Sequence, residues 1–174
     1  MSRTLLIIVA CIAAFRFWTL YVAGSNERRL KADGAIEYGQ GSTLFLWVAT
    51  GIVYAGALIE GFSYRHAQFD RVSAIGLAIY IFSAIALIFV IRTLGRFWSG
   101  KVIISPKHEL VVHPLFRKLK HPNYFLNMVP ELIGFCILLH AWITLAIGVP
   151  LFLVSLFFRI KVEEQVLKNK FEAY

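Results

Sequence analysis

Cysteine is almost absent from this chain. Cys11 and Cys136 both sit inside apolar runs and lack metal-type spacing, which excludes a disulfide framework and makes them small apolar packing residues. Acidic side chains are scarce as well, 10 Asp and Glu against 18 Lys and Arg. No Pro/Gly/Ser-rich linker, low-complexity stretch or internal repeat divides the sequence, so residues 1–174 read as one domain. No cluster of ligating side chains has the spacing of a metal site, and no metal is expected. What the chain has instead is hydrocarbon: 59% of its residues are hydrophobic and its mean hydropathy is +0.69. Soluble domains average roughly 45–50% apolar, so the excess calls for lipid as solvent. In such a chain the net charge of +8 reflects membrane topology and not nucleic-acid binding.

A membrane crossing needs about 20 apolar residues. The first run, residues 4–23, reaches that length, interrupted only by Arg16; it has no small-residue cleavage site, so it reads as a span and not as a signal peptide. Residues 42–62 form a second run with Glu60 near its end, and residues 72–95 a third with Arg92 near its end. The stretch from Asn123 to Ile160 is apolar almost throughout. As one helix it would be roughly 57 Å long, nearly twice a bilayer core, so it divides into spans 123–140 and 141–160 with a turn near His140 and Ala141. Pro130 and Pro150 mark kinks in these two helices. The expectation is an all-α protein with five crossings, the last two a helical hairpin. A short strand at Lys101–Ser105, an apolar run at Leu110–Val112 in the headgroups, and a C-terminal helix continuing the fifth span complete it.

With five crossings, one side of the membrane carries Arg3, Arg65 and Arg71, while 13 Lys and Arg fall on the other. The positive-inside rule makes the second side cytosolic and places the N-terminus outside. The cytosolic side then holds three segments: Gly24–Gly41, the long loop up to Pro122, and the tail after Ile160.

Two polar clusters lie where this loop and this tail meet the membrane. Lys120-His121-Pro122-Asn123-Tyr124 stands at the start of span four, where proline suits the first helical turn and His121 and Tyr124 share one direction. It reads either as an interfacial anchor, with Tyr124 in the aromatic belt, or as part of a site. Arg159 and Glu163 are four apart on one helix face, either a surface ion pair of little energetic weight or part of a site. The hairpin turn returns Glu163 to the membrane face of His121, which favours the site in both cases.

The residues that bring the two clusters together also carry a resemblance. HELVVHPLFRKLKHPNY (residues 108–124) followed by RIKVEEQVL (159–167) resembles the isoprenylcysteine carboxyl methyltransferase family, with its pattern HxLVxxGxYxxxRHPxY, a helical hairpin and RxxxEE, and is more distantly similar to phospholipid methyltransferases. SNERRLKADGAIEYG (25–39) and TLGRFWS (93–99) are similar to bacterial members. Lys120 departs from the usual Arg, His113-Pro114 from a Ser/Thr-Gly pair, and Phe116 from a Tyr whose hydroxyl would face the cofactor.

The resemblance implies a catalytic region over 96–174 and a pocket for S-adenosylmethionine lined by His108, Glu109, Leu110, Val111 and Phe116 and closed by His121, Pro122, Asn123 and Tyr124. It implies that Glu163 contacts the cofactor's amino-acid or ribose end and that Arg159 binds the substrate. The expected catalytic set is therefore Arg159, Glu163 and His121, acting on a lipophilic acceptor from the cytosolic face. Phospholipid N-methylation and a non-enzymatic transporter or scaffold subunit are the alternatives. Arg16 and Glu60, charged within spans, either snorkel to an interface or serve the site.

Overall fold

The computed structural model describes residues 2–63, 68–104 and 121–170. Helix α1 (Arg3–Ala32) starts at a Ser2 cap, whose Oγ accepts from Leu5 N–H, and carries the first apolar run well past Ala23 into the charged SNERR segment. A three-residue strand β1 (Ile36–Tyr38) leads through Gly39 into α2 (Gln40–Ser63), and α3 (Arg71–Leu94) begins at an Asp70 cap. A single 3₁₀ turn, Gly95–Phe97, then leads toward β2 (Val102–Ile104).

The expected strand at 101–105 is present, and its partner is one the sequence did not disclose. β1 and β2 pair antiparallel, with Ile36 opposite Ile104 and Tyr38 opposite Val102. The pair is held by charge. Lys101 Nζ lies 2.6 Å from Glu27 Oε1 and 3.3 Å from Glu37 Oε2, and Lys31 Nζ is 2.8 Å from both of these carboxylates. Asn26 fastens the same corner, donating from Nδ2 to the carbonyls of Gly95 and Trp98. The segments SNERR and TLGRFWS therefore touch each other.

Helix α4 opens with a π turn, Asn123–Met128, and continues as Val129–Leu138; α5 opens with a π turn, Thr144–Gly148, and continues as Val149–Lys170. Each π turn ends just before a proline, Pro130 or Pro150. A proline ring collides with the carbonyl four residues back and offers it no N–H, and widening the preceding turn relieves both problems. The expected kinks take this form. The turn between the helices falls where the apolar length demands it: His140 adopts a left-handed conformation (φ 55°), Ala141 N–H returns to Cys136 O, and His140 Nε2 lies 3.1 Å from Asp70 Oδ1.

Among the described residues four helices, α1, α2, α3 and α5, are long and apolar enough to cross a membrane; α4, Asn123–Leu138, is shorter. Their packing depends on small residues, as expected where lipid removes the hydrophobic drive between helices. At the α3–α4 crossing Gly76 and Gly134 face each other, and a Cβ on Gly76 would stand 2.3 Å from Leu138 N. Between β1 and α2, Gly39 (φ 62°) needs its missing side chain twice, because a Cβ there would lie 2.4 Å from Val162 Cγ1 on α5.

Two expectations are corrected. Cys11 is exposed on the outer face of α1, not packed, whereas Cys136 is fully buried. Glu60 does not join the residues of the expected site: its oxygens accept from Ile143 N–H (2.9 Å) and Thr144 N–H (3.0 Å), capping the start of α5.

Replacing Gly76 by Ala is expected to destabilise the fold by about 1–3 kcal/mol, since backbone and not a flexible side chain occupies the space. Gly51→Ala, with nothing within 4 Å of the new methyl, serves as the control and leaves stability unchanged or raised. Thermal unfolding in detergent micelles measures both.

Candidate active site

His108, Glu109, Leu110, Val111 and Phe116 lie outside the described residues. The remaining predicted residues converge. At the start of α4, the His121 and Tyr124 rings stack with centroids 5.6 Å apart, as their spacing implied. The hairpin brings α5 beside them. Tyr124 Oη donates to Glu163 Oε2 at 2.5 Å, His121 Nδ1 is 3.6 Å from Glu163 Oε1, and His121 Nε2 is 3.4 Å from Glu164 Oε1. Pro122 is buried at the first turn, and Asn123 lines the cavity described below.

Arg159 does not form the surface ion pair with Glu163 that its spacing allowed. It is 3% exposed, and two hydroxyl groups hold it: Nε donates to Tyr124 Oη (3.2 Å) and Nη1 to Thr43 Oγ1 (2.6 Å). The Tyr124 oxygen thus stands between the guanidinium and the Glu163 carboxylate. No described carboxylate lies within ion-pair distance of Arg159. A buried cation held only by neutral oxygens keeps most of its capacity for an anion, and a guanidinium can grip one through two parallel hydrogen bonds.

Arg159, Tyr124 and Asn123 line a partly open cavity of about 560 Å³ between α1, α2, α4 and α5, with Leu87 of α3 and Trp98, Ser99 and Gly100 also in its wall. Its walls are mainly apolar, with Trp47, Leu87 and Phe135 among them. Space of this size, mainly apolar and with the Arg159 guanidinium in its wall, suits a lipophilic molecule with a polar head.

Two contributors escaped sequence reasoning. Thr43, an ordinary helix residue in sequence, proves to be a direct support of Arg159. Glu131 lies inside the run read as apolar, yet it is 3% exposed and ion-paired with Arg16, Nη1 to Oε2 at 3.1 Å, while Tyr54 Oη donates to its other oxygen. A charge at an interior position of a span was the available signal. Arg16 accordingly does not snorkel.

Burial alone would lower the His121 pKa, but hydrogen bonds and charge from Glu163, with Glu164 behind it, outweigh that and hold His121 above its ordinary value. A raised folded-state pKa contributes stability that is fully present below about pH 6.5 and lost as pH rises through the folded value. Stability of the purified protein should therefore fall over that window. His121→Gln should flatten the decline in a series of unfolding temperatures from pH 5.5 to 8.5; an unchanged slope would show that other groups set it.

The chain is 40% identical over 162 residues to an uncharacterised protein of Haemophilus influenzae, a match that covers 93% of this chain and 94% of the relative. It is 27% identical over 164 residues to the uncharacterised protein YpbQ of Bacillus subtilis, covering 94% of this chain and 96% of the relative. No solved structure matches. Residues 74–169, more than half of the chain and including His121, Tyr124, Arg159 and Glu163, match the isoprenylcysteine carboxyl methyltransferase family. This multi-pass membrane protein, with its buried arginine beside an apolar cavity, belongs to the isoprenylcysteine carboxyl methyltransferase family.

Proposed function

We propose that the protein is an S-adenosylmethionine-dependent methyltransferase of a lipophilic acceptor, O-methylating a carboxylate or a long-chain phenolic or pyrone lipid. The observation that carries this reading is Arg159, buried on the wall of the apolar cavity with no ion-pair partner among the described residues. Bound S-adenosylmethionine would supply an electrophilic methyl on a sulfonium. The donor set fits such a cofactor: the Glu163 carboxylate at the polar rim suits an ammonium or a ribose diol, and His121, Pro122, Asn123 and Tyr124 would close around it.

In this reading the acceptor slides in laterally from the bilayer and Arg159 grips its oxygen, with Thr43 and Tyr124 fixing the guanidinium plane. Methyl transfer is an in-line displacement, so alignment and exclusion of water supply most of the rate. A carboxylate acceptor is already ionised and needs no base. For a phenol or enol, His121 or Glu163 would take the proton. The near full-length similarity to two bacterial proteins favours a free lipid over a prenylated protein. A phospholipid amine fits less well, because Arg159 would repel an ammonium.

The reading includes five crossings with α4 as the shortest, the N-terminus outside, and the site on the cytosolic face, where most of the Lys and Arg lie. A C-terminal green fluorescent protein fusion should then fluoresce and a C-terminal alkaline phosphatase fusion be inactive; the reverse pattern would overturn the orientation.

Calorimetric titration of the purified protein with S-adenosylhomocysteine tests the cofactor. Binding is expected, and its absence at millimolar ligand would sink the enzyme reading. Glu163→Ala should weaken that binding about tenfold, whereas Arg159→Ala should spare it and lower turnover of a labelled lipid extract at least about a hundredfold. Thr43→Val, which frees one edge of the guanidinium, should give an intermediate loss.

A further inference from the structure

The Arg16 guanidinium is part of the cavity wall and 24% of its side chain is exposed. Among the described residues, one of its N–H groups is engaged, the bond from Nη1 to Glu131 Oε2. The Tyr54 ring lies beside it, 5.8 Å from Cζ, and the Tyr54 hydroxyl holds the other oxygen of Glu131. Glu131 is thereby fully occupied and buried, while Arg16 is held in place with donors to spare.

Such donors are expensive inside a bilayer, where no solvent satisfies them. If the pair served only to join α1 to α4, apolar side chains of similar volume would do as well or better. The pair also sums to zero charge. A second anion beside it would introduce uncompensated charge in a low-dielectric site, whereas a neutral oxygen would satisfy the spare donors without one.

The depth of this group relative to Arg159 follows from the helices. Thr43 contacts Arg159 and Tyr54 contacts Arg16, eleven residues further along α2; Tyr124 and Glu131 are seven apart on α4. At 1.5 Å per residue, the two arginines are separated by about 10–16 Å along the cavity.

We infer that Arg16 is a second recognition point for the acceptor, hydrogen-bonding a neutral hydroxyl or keto oxygen carried on its chain about 10–16 Å from the oxygen that is methylated. The inference rests on the cavity being the acceptor's chamber, as proposed above. It narrows the substrate class from any long-chain carboxylate or phenol to one oxygenated partway down its chain.

Displacement of radiolabelled stearate from the protein in lipid nanodiscs, with S-adenosylhomocysteine present, tests it. 12-Hydroxystearate places a hydroxyl at the right depth when its carboxylate lies at Arg159, and 2-hydroxystearate does not. The expected result is that 12-hydroxystearate binds about tenfold more tightly than stearate, with no such gain for 2-hydroxystearate. The gain should vanish in the paired variant Arg16→Met/Glu131→Met, which leaves no buried charge alone. Arg16→Lys, which keeps the ion pair but loses the planar fork, should reduce it even if the paired variant does not fold. Equal affinities for stearate and 12-hydroxystearate, or a gain that survives both variants, would overturn the inference and leave the acceptor chamber standing. If stearate itself fails to bind while S-adenosylhomocysteine does, the chamber reading falls and the inference with it.

Discussion

Lipid offers no hydrogen bonds, and this shapes the polar interior of the protein. Every charged group within the helices has to find a protein partner or remain at high energy. Two charged sites do so, and a third does not. Glu60 spends its charge on the free N–H groups that begin α5. Arg16 and Glu131 neutralise each other across α1 and α4. Arg159 is the exception: neutral hydroxyl groups hold it, and among the described residues no carboxylate reaches ion-pair distance. On the proposed function, that omission is where the acceptor's oxygen would bind.

The same constraint governs the backbone. Pro130 and Pro150 each free a carbonyl inside an apolar helix, and the preceding turn widens at both places. The widened turn at the start of α4 contains Tyr124 and Asn127, which both line the cavity. Close approach of helices is made possible by glycine at Gly76 and Gly134, and this crossing packs α3 against α4, the helix that carries Tyr124 of the Arg159–Tyr124–Glu163 chain.

Above the membrane boundary, charge takes over from packing. Lys101 and Lys31 bridge Glu27 and Glu37, binding the end of α1 to β1 and β2. Burial would raise the Glu37 pKa, but hydrogen bonds from Lys31 and Lys101 hold it below its usual range. This corner lies directly before the segment expected to line the cofactor. The charged stretch after the first span is therefore a structural brace, a role that composition alone does not reveal.

Much of the architecture was legible in the sequence because lipid reads composition in one dimension. Run length set the helices, the surplus length of residues 123–160 demanded a hairpin, and the spacing of His121, Tyr124, Arg159 and Glu163 placed each on a helix face. Pairing between elements could not be read this way. That Glu131 meets Arg16, that β1 meets β2, and that Thr43 supports Arg159 depend on contacts between residues distant in the chain, and no local periodicity encodes them. The sequence by itself determined a helical membrane protein and the residues at its helix ends that carry charge. Only the tertiary structure decided which of those charges cancel and that buried Arg159 has no described carboxylate within ion-pair distance, because cancellation depends on distances of 3–4 Å between helices.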